Sequence, residues 1–395
     1  MTQLLHTTSD NHNERTFVEV KGGVKVRTAG WMLIVGIATV AYLSGATPIA
    51  KVADDNTVKL RIGTEAVEAV PETATSLTYL GGAYQFGGGF SPSNAPYGGF
   101  GGGYCTASRT PVIFIHGNGD EAKNWDAPSS TGVLSVYDQF RAAGYNDCEL
   151  FGITWLSASE RLAPNLNYHN PTKAAMIRDF INDVKLYTGK SQVDIVGHSM
   201  GVTVAIHGID YGNLWSSVRR FIGIAGGLRG LASCYWVGYA NPSATTCGSE
   251  NIYSSNIFGF YPDVYPAYNP KMGSGSSGYR NKPSGKSTIF YTIRAGKHDQ
   301  IACTTTAYTS TCQDTPLFNS YSNVRAQLNV GRGTTAAQMD YNFLDWSPYN
   351  VMGGDSDGVG HFRAKNNTGR IQVNMLTTNC TGTSCCSGYG YSCTN

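Results

Sequence analysis

Charge is scarce in this 395-residue chain: Asp, Glu, Lys and Arg make up 14% of it, 29 basic residues against 27 acidic ones. A net charge of +2 produces no field able to hold an anionic polymer, so a nucleic-acid partner is not expected. The basic pair Arg219-Arg220 reads as ordinary solvated surface. Disorder is not expected either, because 41% of the residues are apolar and that is enough to build a packed core. Long apolar runs are scarce. Residues 31–43 form one, but a bilayer span takes about 20 residues. Lys21, Lys25 and Arg27 precede this run and Ser44-Gly45-Ala46 follows it, which is the layout of a signal peptide over 1–46, with an uncleaved anchor as the alternative. No CxxC pair occurs, and no histidine stands at zinc-ligand spacing from a cysteine, so neither a metal nor any other cofactor is expected. No internal repeat is present, which excludes a solenoid.

The chain does have ten cysteines. An even number in a chain with a signal-like segment points to disulfides in an oxidising compartment and to a secreted, extracellular protein. Cys234/Cys247 and Cys303/Cys312 would close short loops. Residues 47–80 are polar and read as an extended leader. Residues 81–104 are rich in glycine, with Tyr84, Phe86, Phe90, Tyr97, Phe100 and Tyr104 interleaved. They read as a loop pinned to the core by its aromatics, with an adhesive aromatic surface as the alternative. The leader and arm thus occupy 47–104, and the catalytic domain occupies 105–395.

From residue 111 the pattern alternates between strand and helix. The run 111–115 (PVIFI) is apolar on both faces, as a buried parallel strand must be. A helix is predicted over 133–143, a strand over 149–155, and a long helix over 172–188 that stops at Gly189. Strands are predicted over 193–197, 221–225 and 287–293. This order implies an α/β fold with a mostly parallel central sheet flanked by helices.

The strand at 193–197 runs into Gly197-His198-Ser199-Met200-Gly201. A serine hydroxyl is a weak nucleophile until a base takes its proton and the backbone lifts it into the open. Gly-x-Ser-x-Gly between a strand and a helix supplies that perch, and it is the nucleophile elbow of the α/β-hydrolase fold. The amide of Met200 is then one oxyanion donor. The second is expected on the loop after 111–115, where His116-Gly117-Asn118-Gly119-Asp120 places the amide of Asn118. His116 precedes the nucleophile, and the base of this fold follows it. Of the later histidines, His207 lies inside the nucleophile helix and reads as packing or surface. His361, in a glycine-rich loop near the end of the chain, is the expected base, with His298 as its rival. Asp299, just past the strand at 287–293, is the expected acid, ahead of Asp263, Asp345, Asp355 and Asp357.

Longer strings carry a resemblance. Residues 97–103 (YGGFGGG), 111–120 (PVIFIHGNGD), 144–149 (GYNDCE), 191–201 (SQVDIVGHSMG) and 350–363, ending in GVGHFR, resemble the extracellular, lipase-like poly(3-hydroxybutyrate) depolymerases, relatives of the class 2 lipases. The similarity covers about residues 83–385. It implies Ser199, Asp299 and His361 as the triad, the Asn118 and Met200 amides as oxyanion donors, and Tyr168, Tyr235 and Trp236 at a polymer-facing surface. Residues 47–80 and the tail pair Cys386 and Cys393 look like additions, and 255–285 diverges. The expected function is that of a secreted, monomeric serine esterase acting at a hydrophobic polyester or lipid surface. A triacylglycerol lipase is the nearest alternative, and an inactive granule-binding or adhesion protein is the alternative of another class.

Overall fold

The computed structural model describes residues 85–94, 96–126, 134–231, 241–248, 258–261, 283–296, 312–331 and 360–387. It also describes Cys234, Asp299, Ile301, Ala302, residues 393–395 and the backbone of four N-terminal strands. The chain divides into two units, Met1–Ser76 and Leu77–Asn395. In the first, β1 (Thr7–Ser9), β2 (Thr16–Glu19), β3 (Thr47–Val52) and β4 (Val58–Gly63) form an antiparallel sheet in the order β1-β2-β4-β3. Part of the stretch read as an extended leader is therefore a hairpin. The apolar run 31–43 lies outside the described residues. Among those described, no helix is long and apolar enough to cross a membrane.

The second unit holds a seven-stranded sheet. Its strands are β5 (Gly99–Phe100), β6 (Val112–Ile115), β7 (Leu150–Ile153), β8 (Val193–His198), β9 (Val218–Ile224), β10 (Ile289–Arg294) and β11 (Val324–Asn329). The order is β11-β10-β9-β8-β6-β7-β5, and every pairing is parallel except that of the edge strand β5 with β7. Its helices are α1 (Val136–Ala142), α2 (Ala158–Leu162), α3 (Pro171–Thr188), α4 (Met200–Tyr211), α5 (Arg363–Asn366) and α6 (Gly369–Thr377).

Local chemistry accounts for the main elements. Val112 and Phe114 of β6 point into one core layer, and Ile113 and Ile115 into the other, because successive side chains of a strand alternate faces. The helix α3 begins where the side chain of Asn170 accepts from the Lys173 amide, with Pro171 at the first helical position. It buries Ala174, Ile177, Phe180, Ile181 and Val184 at helical spacing, and it ends at Gly189 in the left-handed conformation.

The connection order positions the site. After β6 the chain adds β7 on one side, then crosses back to lay β8 on the other. The loops that follow β6 and β8 therefore leave adjacent strands at the point where the winding direction reverses, which is where open α/β sheets bind ligands.

The glycine-rich arm is pinned as expected: Phe90 and Phe100 are buried, and Phe90 meets Phe151 and Phe180 edge-on. Tyr97 and Tyr104 are exposed instead. Disulfides join Cys105 to Cys148, Cys234 to Cys247, Cys380 to Cys385 and Cys386 to Cys393. The pair Cys303/Cys312 lies outside the described residues.

The reading of the basic pair fails. Arg219 and Arg220 are not solvated surface: Arg220 is buried, and the pair spans from the sheet to the end of α6. Arg219 donates to Asp194 Oδ1 at 2.9 Å and to the Leu376 carbonyl at 2.9 Å. Arg220 donates to the carbonyls of Met375 and Thr378 and to Asn379 Oδ1. The last carbonyls of a helix lack intrahelical partners, and guanidinium groups satisfy them while facing the negative end of the dipole.

Candidate active site

The strand β8 delivers Ser199 to a tight turn at φ 54° and ψ −128°, a conformation that L side chains seldom adopt. Two bonds hold it there: the Ser199 amide donates to the Ile224 carbonyl at 2.8 Å, and the Val202 amide donates to the Ser199 carbonyl at 3.1 Å. Glycine at 201 is obligatory, since a Cβ there would lie 2.4 Å from the carbonyl oxygens of both Ile115 and His116. Gly117 is equally constrained, because a Cβ would meet Ser199 Cβ at 2.8 Å. The turn after β8 and the loop after β6 are thus in direct contact. Ser199 is half-buried, and Met200, its neighbour, opens α4.

His361 and Asp299, 62 residues apart, come together: His361 Nδ1 lies 2.8 Å from Asp299 Oδ1. Both side chains are buried. The same carboxylate oxygen accepts from the amides of Ile301 and Ala302 at 3.0 and 2.8 Å. An oxygen that accepts from two amides accepts from the ring as well, so the imidazole N–H faces it at Nδ1 and Nε2 is left facing away from Asp299. The residue before the nucleophile ties this loop in place. His198 Nε2 donates to the His361 carbonyl at 3.0 Å, and the two rings lie 4.8 Å apart. Burial, reinforced by nearby His361 and Lys365, holds the His198 pKa well below the usual imidazole value, so it stays neutral.

The loop after β6 is held at His116, Asn118 and Asp120. The side chain of Asn118 donates to the Pro164 carbonyl at 2.7 Å and accepts from Asn167 Nδ2 at 2.7 Å. Tyr168, half-buried, follows Asn167 directly, so it belongs to the segment that braces this loop. His116 Nδ1 donates to the Gly117 carbonyl at 2.7 Å, and its Nε2 accepts from the Trp155 amide at 3.2 Å. Burial lowers the His116 pKa to about 4, against the opposing pull of Asp120.

Asp120 accepts from Lys365 Nζ at 3.1 Å, from the Glu121 amide at 2.9 Å and from Asn124 Nδ2. Lys365 also donates to the Asn124 carbonyl at 3.3 Å. Despite its burial, the ammonium of Lys365 keeps the Asp120 carboxyl below the usual carboxylate range. Lys365 stands four residues past His361, so this buried ion pair joins the loop after β6 to the segment that carries His361.

Of the residues singled out from sequence, the structure brings His361 and Asp299 together and sets the loop of Asn118 against the turn of Ser199 and Met200; Lys365, Asn167 and the bond made by His198 were not singled out. Their partners are remote in sequence, and no spacing announces them. His207 is buried among Phe258, His169 and Tyr211, as the packing reading expected. Tyr235, Trp236, His298, Asp263, Asp345, Asp355 and Asp357 lie outside the described residues. Among the described residues, no cluster of three metal-ligating side chains exists.

Residues 109–262 match the family model for Lipase (class 2). No curated protein matches the chain. Among solved structures, lipase B of Aspergillus fumigatus is 16% identical over 55% of this chain and 42% of its own, with a TM-score of 0.34. The lipase BlEst2 of Bacillus licheniformis in its mature form is 15% identical over 51% of this chain and 73% of its own, with a TM-score of 0.31. The same lipase in its propeptide form is 14% identical over 61% and 49%, with a TM-score of 0.37. The chain spans less than half the length of the Aspergillus lipase. Residues 109–262 are thus similar to the class 2 lipases, and the mostly parallel sheet with the elbow at Ser199 has the α/β-hydrolase architecture.

Proposed function

We propose that the protein is a secreted serine esterase that cleaves the ester bonds of a poly(3-hydroxybutyrate)-type polyester. The observation that carries the catalytic part is the 2.8 Å bond from His361 Nδ1 to Asp299 Oδ1 beside the elbow of Ser199. In this reading His361 Nε2 takes the Ser199 proton as Oγ attacks the ester carbonyl. The amides of Met200 and Asn118 receive the oxyanion, and the imidazolium, stabilised by Asp299, returns the proton to the departing alkoxide. Water then hydrolyses the acyl-enzyme by the same route and releases a hydroxyacyl product.

The polyester rests on the strings at 97–103, 111–120, 144–149, 191–201 and 350–363. Export rests on the signal-like layout of 1–46 and on the disulfides, which persist in oxidising compartments. The match of residues 109–262 to class 2 lipases favours a second reading, a triacylglycerol lipase with the same machinery. Amorphous poly(3-hydroxybutyrate) granules and an emulsified long-chain triglyceride, given separately to the purified protein, discriminate between them. Granule clearing with release of hydroxyacid is the expected result. Clearing of the triglyceride alone overturns the polyester reading.

A further inference from the structure

His116 takes no part in proton transfer in the scheme above, yet it is completely buried, and both ring nitrogens and its carbonyl are engaged. Its Nδ1 donates to the Gly117 carbonyl at 2.7 Å, and its Nε2 accepts from the Trp155 amide at 3.2 Å. Its own carbonyl accepts from Trp155 Nε1 at 2.9 Å, and its ring stacks on Trp155 at 5.4 Å and 16°. An amide N–H can only donate, and a carbonyl can only accept. These partners therefore fix one tautomer, neutral, with the proton on Nδ1.

The Gly117 carbonyl and the Asn118 N–H are opposite ends of one peptide unit. That unit is planar and, like every peptide bond among the described residues, not cis, so the two groups point in opposite directions. Whatever holds the carbonyl also aims the N–H. Such a constraint is needed here. Residue 117 must be glycine because Ser199 Cβ lies against it, and glycine resists rotation of the adjoining peptide less than any other residue. We infer that His116 is the positioning residue of the oxyanion hole: its Nδ1–H, by gripping the Gly117 carbonyl, orients the Asn118 amide toward the oxyanion formed on Ser199. The same bond polarises the peptide and strengthens its N–H as a donor. This inference rests on the serine esterase reading and adds to it the residue that sets the geometry of one donor.

Two variants and one wild-type measurement test it. His116→Phe keeps a ring against Trp155 and removes both nitrogens, whereas His116→Asn restores a donor near the Nδ1 position. On a soluble p-nitrophenyl ester, kcat of His116→Phe falls about 10- to 100-fold with KM nearly unchanged, as expected when an oxyanion donor is misaimed. Affinity for a trifluoromethyl ketone, which forms the tetrahedral adduct, falls by the same factor. His116→Asn recovers most of both. In wild-type protein, 15N resonances of the imidazole report a neutral ring protonated at Nδ1 from pH 5 to 8. A proton on Nε2 overturns the inference even where no variant folds. So does a His116→Phe kcat within about threefold of wild type, or equal losses in both variants in step with melting temperature. Wild-type protein that hydrolyses no ester removes the esterase reading, and this inference with it.

Discussion

At Gly117 one hydrogen atom stands where any other residue would press a Cβ to 2.8 Å from Ser199 Cβ. Gly117→Ala therefore pushes the loop after β6 away from the nucleophile while leaving the buried strands untouched. The expected outcome is a fall in kcat of about 100-fold, the size of effect that a misplacement near 1 Å produces, with a small change in melting temperature. Steady-state kinetics and a thermal melt on the same sample check it. The contact between Asp299 and His361 could be anticipated because the fold prescribes an order of nucleophile, acid and base along the chain. The bracing residues could not. The lysine that pairs with Asp120 lies 245 residues away, and Arg220 gives no sign in sequence that helix carbonyls will enclose it.

The short helix α5 does more than follow His361. Its Lys365 reaches Asp120 at the loop after β6, with both side chains nearly inaccessible. Removing one partner of a buried ion pair strands the other charge, which typically costs about 3–5 kcal/mol. Lys365→Met should therefore lose stability of that order in urea unfolding, and adding Asp120→Asn should restore much of it. Equal stability of wild type and Lys365→Met contradicts the pairing. The elements themselves differed in legibility. The strands β6, β8 and β9 announced themselves as apolar runs because both of their faces are covered. The edge strand β11, written VRAQLN, mixes polar and apolar residues and went unseen. So did α6, which has no side-chain cap at its N-terminus and whose last carbonyls are satisfied by Arg219 and Arg220 from the sheet. The two-residue β5 was hidden among glycines whose pattern resembles a loop.

Across the molecule, the buried neutral histidines lose stability in acid, whereas Asp126 and Asp194, whose carboxyls burial pushes up to about 6, act in the opposite sense. The His116 pKa falls from its ordinary 6.5 to about 4 on folding because burial penalises the imidazolium. The unfolded chain therefore binds this proton more readily than the folded one between those values, and stability drops as pH falls through that window. Its contribution is complete above pH 6.5 and is lost on the way to about pH 4. From pH 7 to 5 His116 alone accounts for about 2 kcal/mol of lost stability, and His198, shifted in the same direction, adds to it. Urea titrations at the two pH values measure this, and His116→Phe should show a visibly shallower loss. A loss as steep as that of wild type contradicts the assignment. The unit that carries this chemistry was legible as a parallel α/β sheet from residue 111 onward. The hairpin at 47–63 was not, because weak alternation in a polar stretch also fits an extended strand with no partner.

The proposed chemistry requires that Ser199 be an activated nucleophile. Treatment of the folded protein with a fluorophosphonate, followed by intact-mass analysis and peptide mapping, measures this directly. One adduct is predicted, on Ser199, forming at least about 100-fold more slowly in His361→Ala. A folded protein that takes no adduct, or takes it on another serine, contradicts the account.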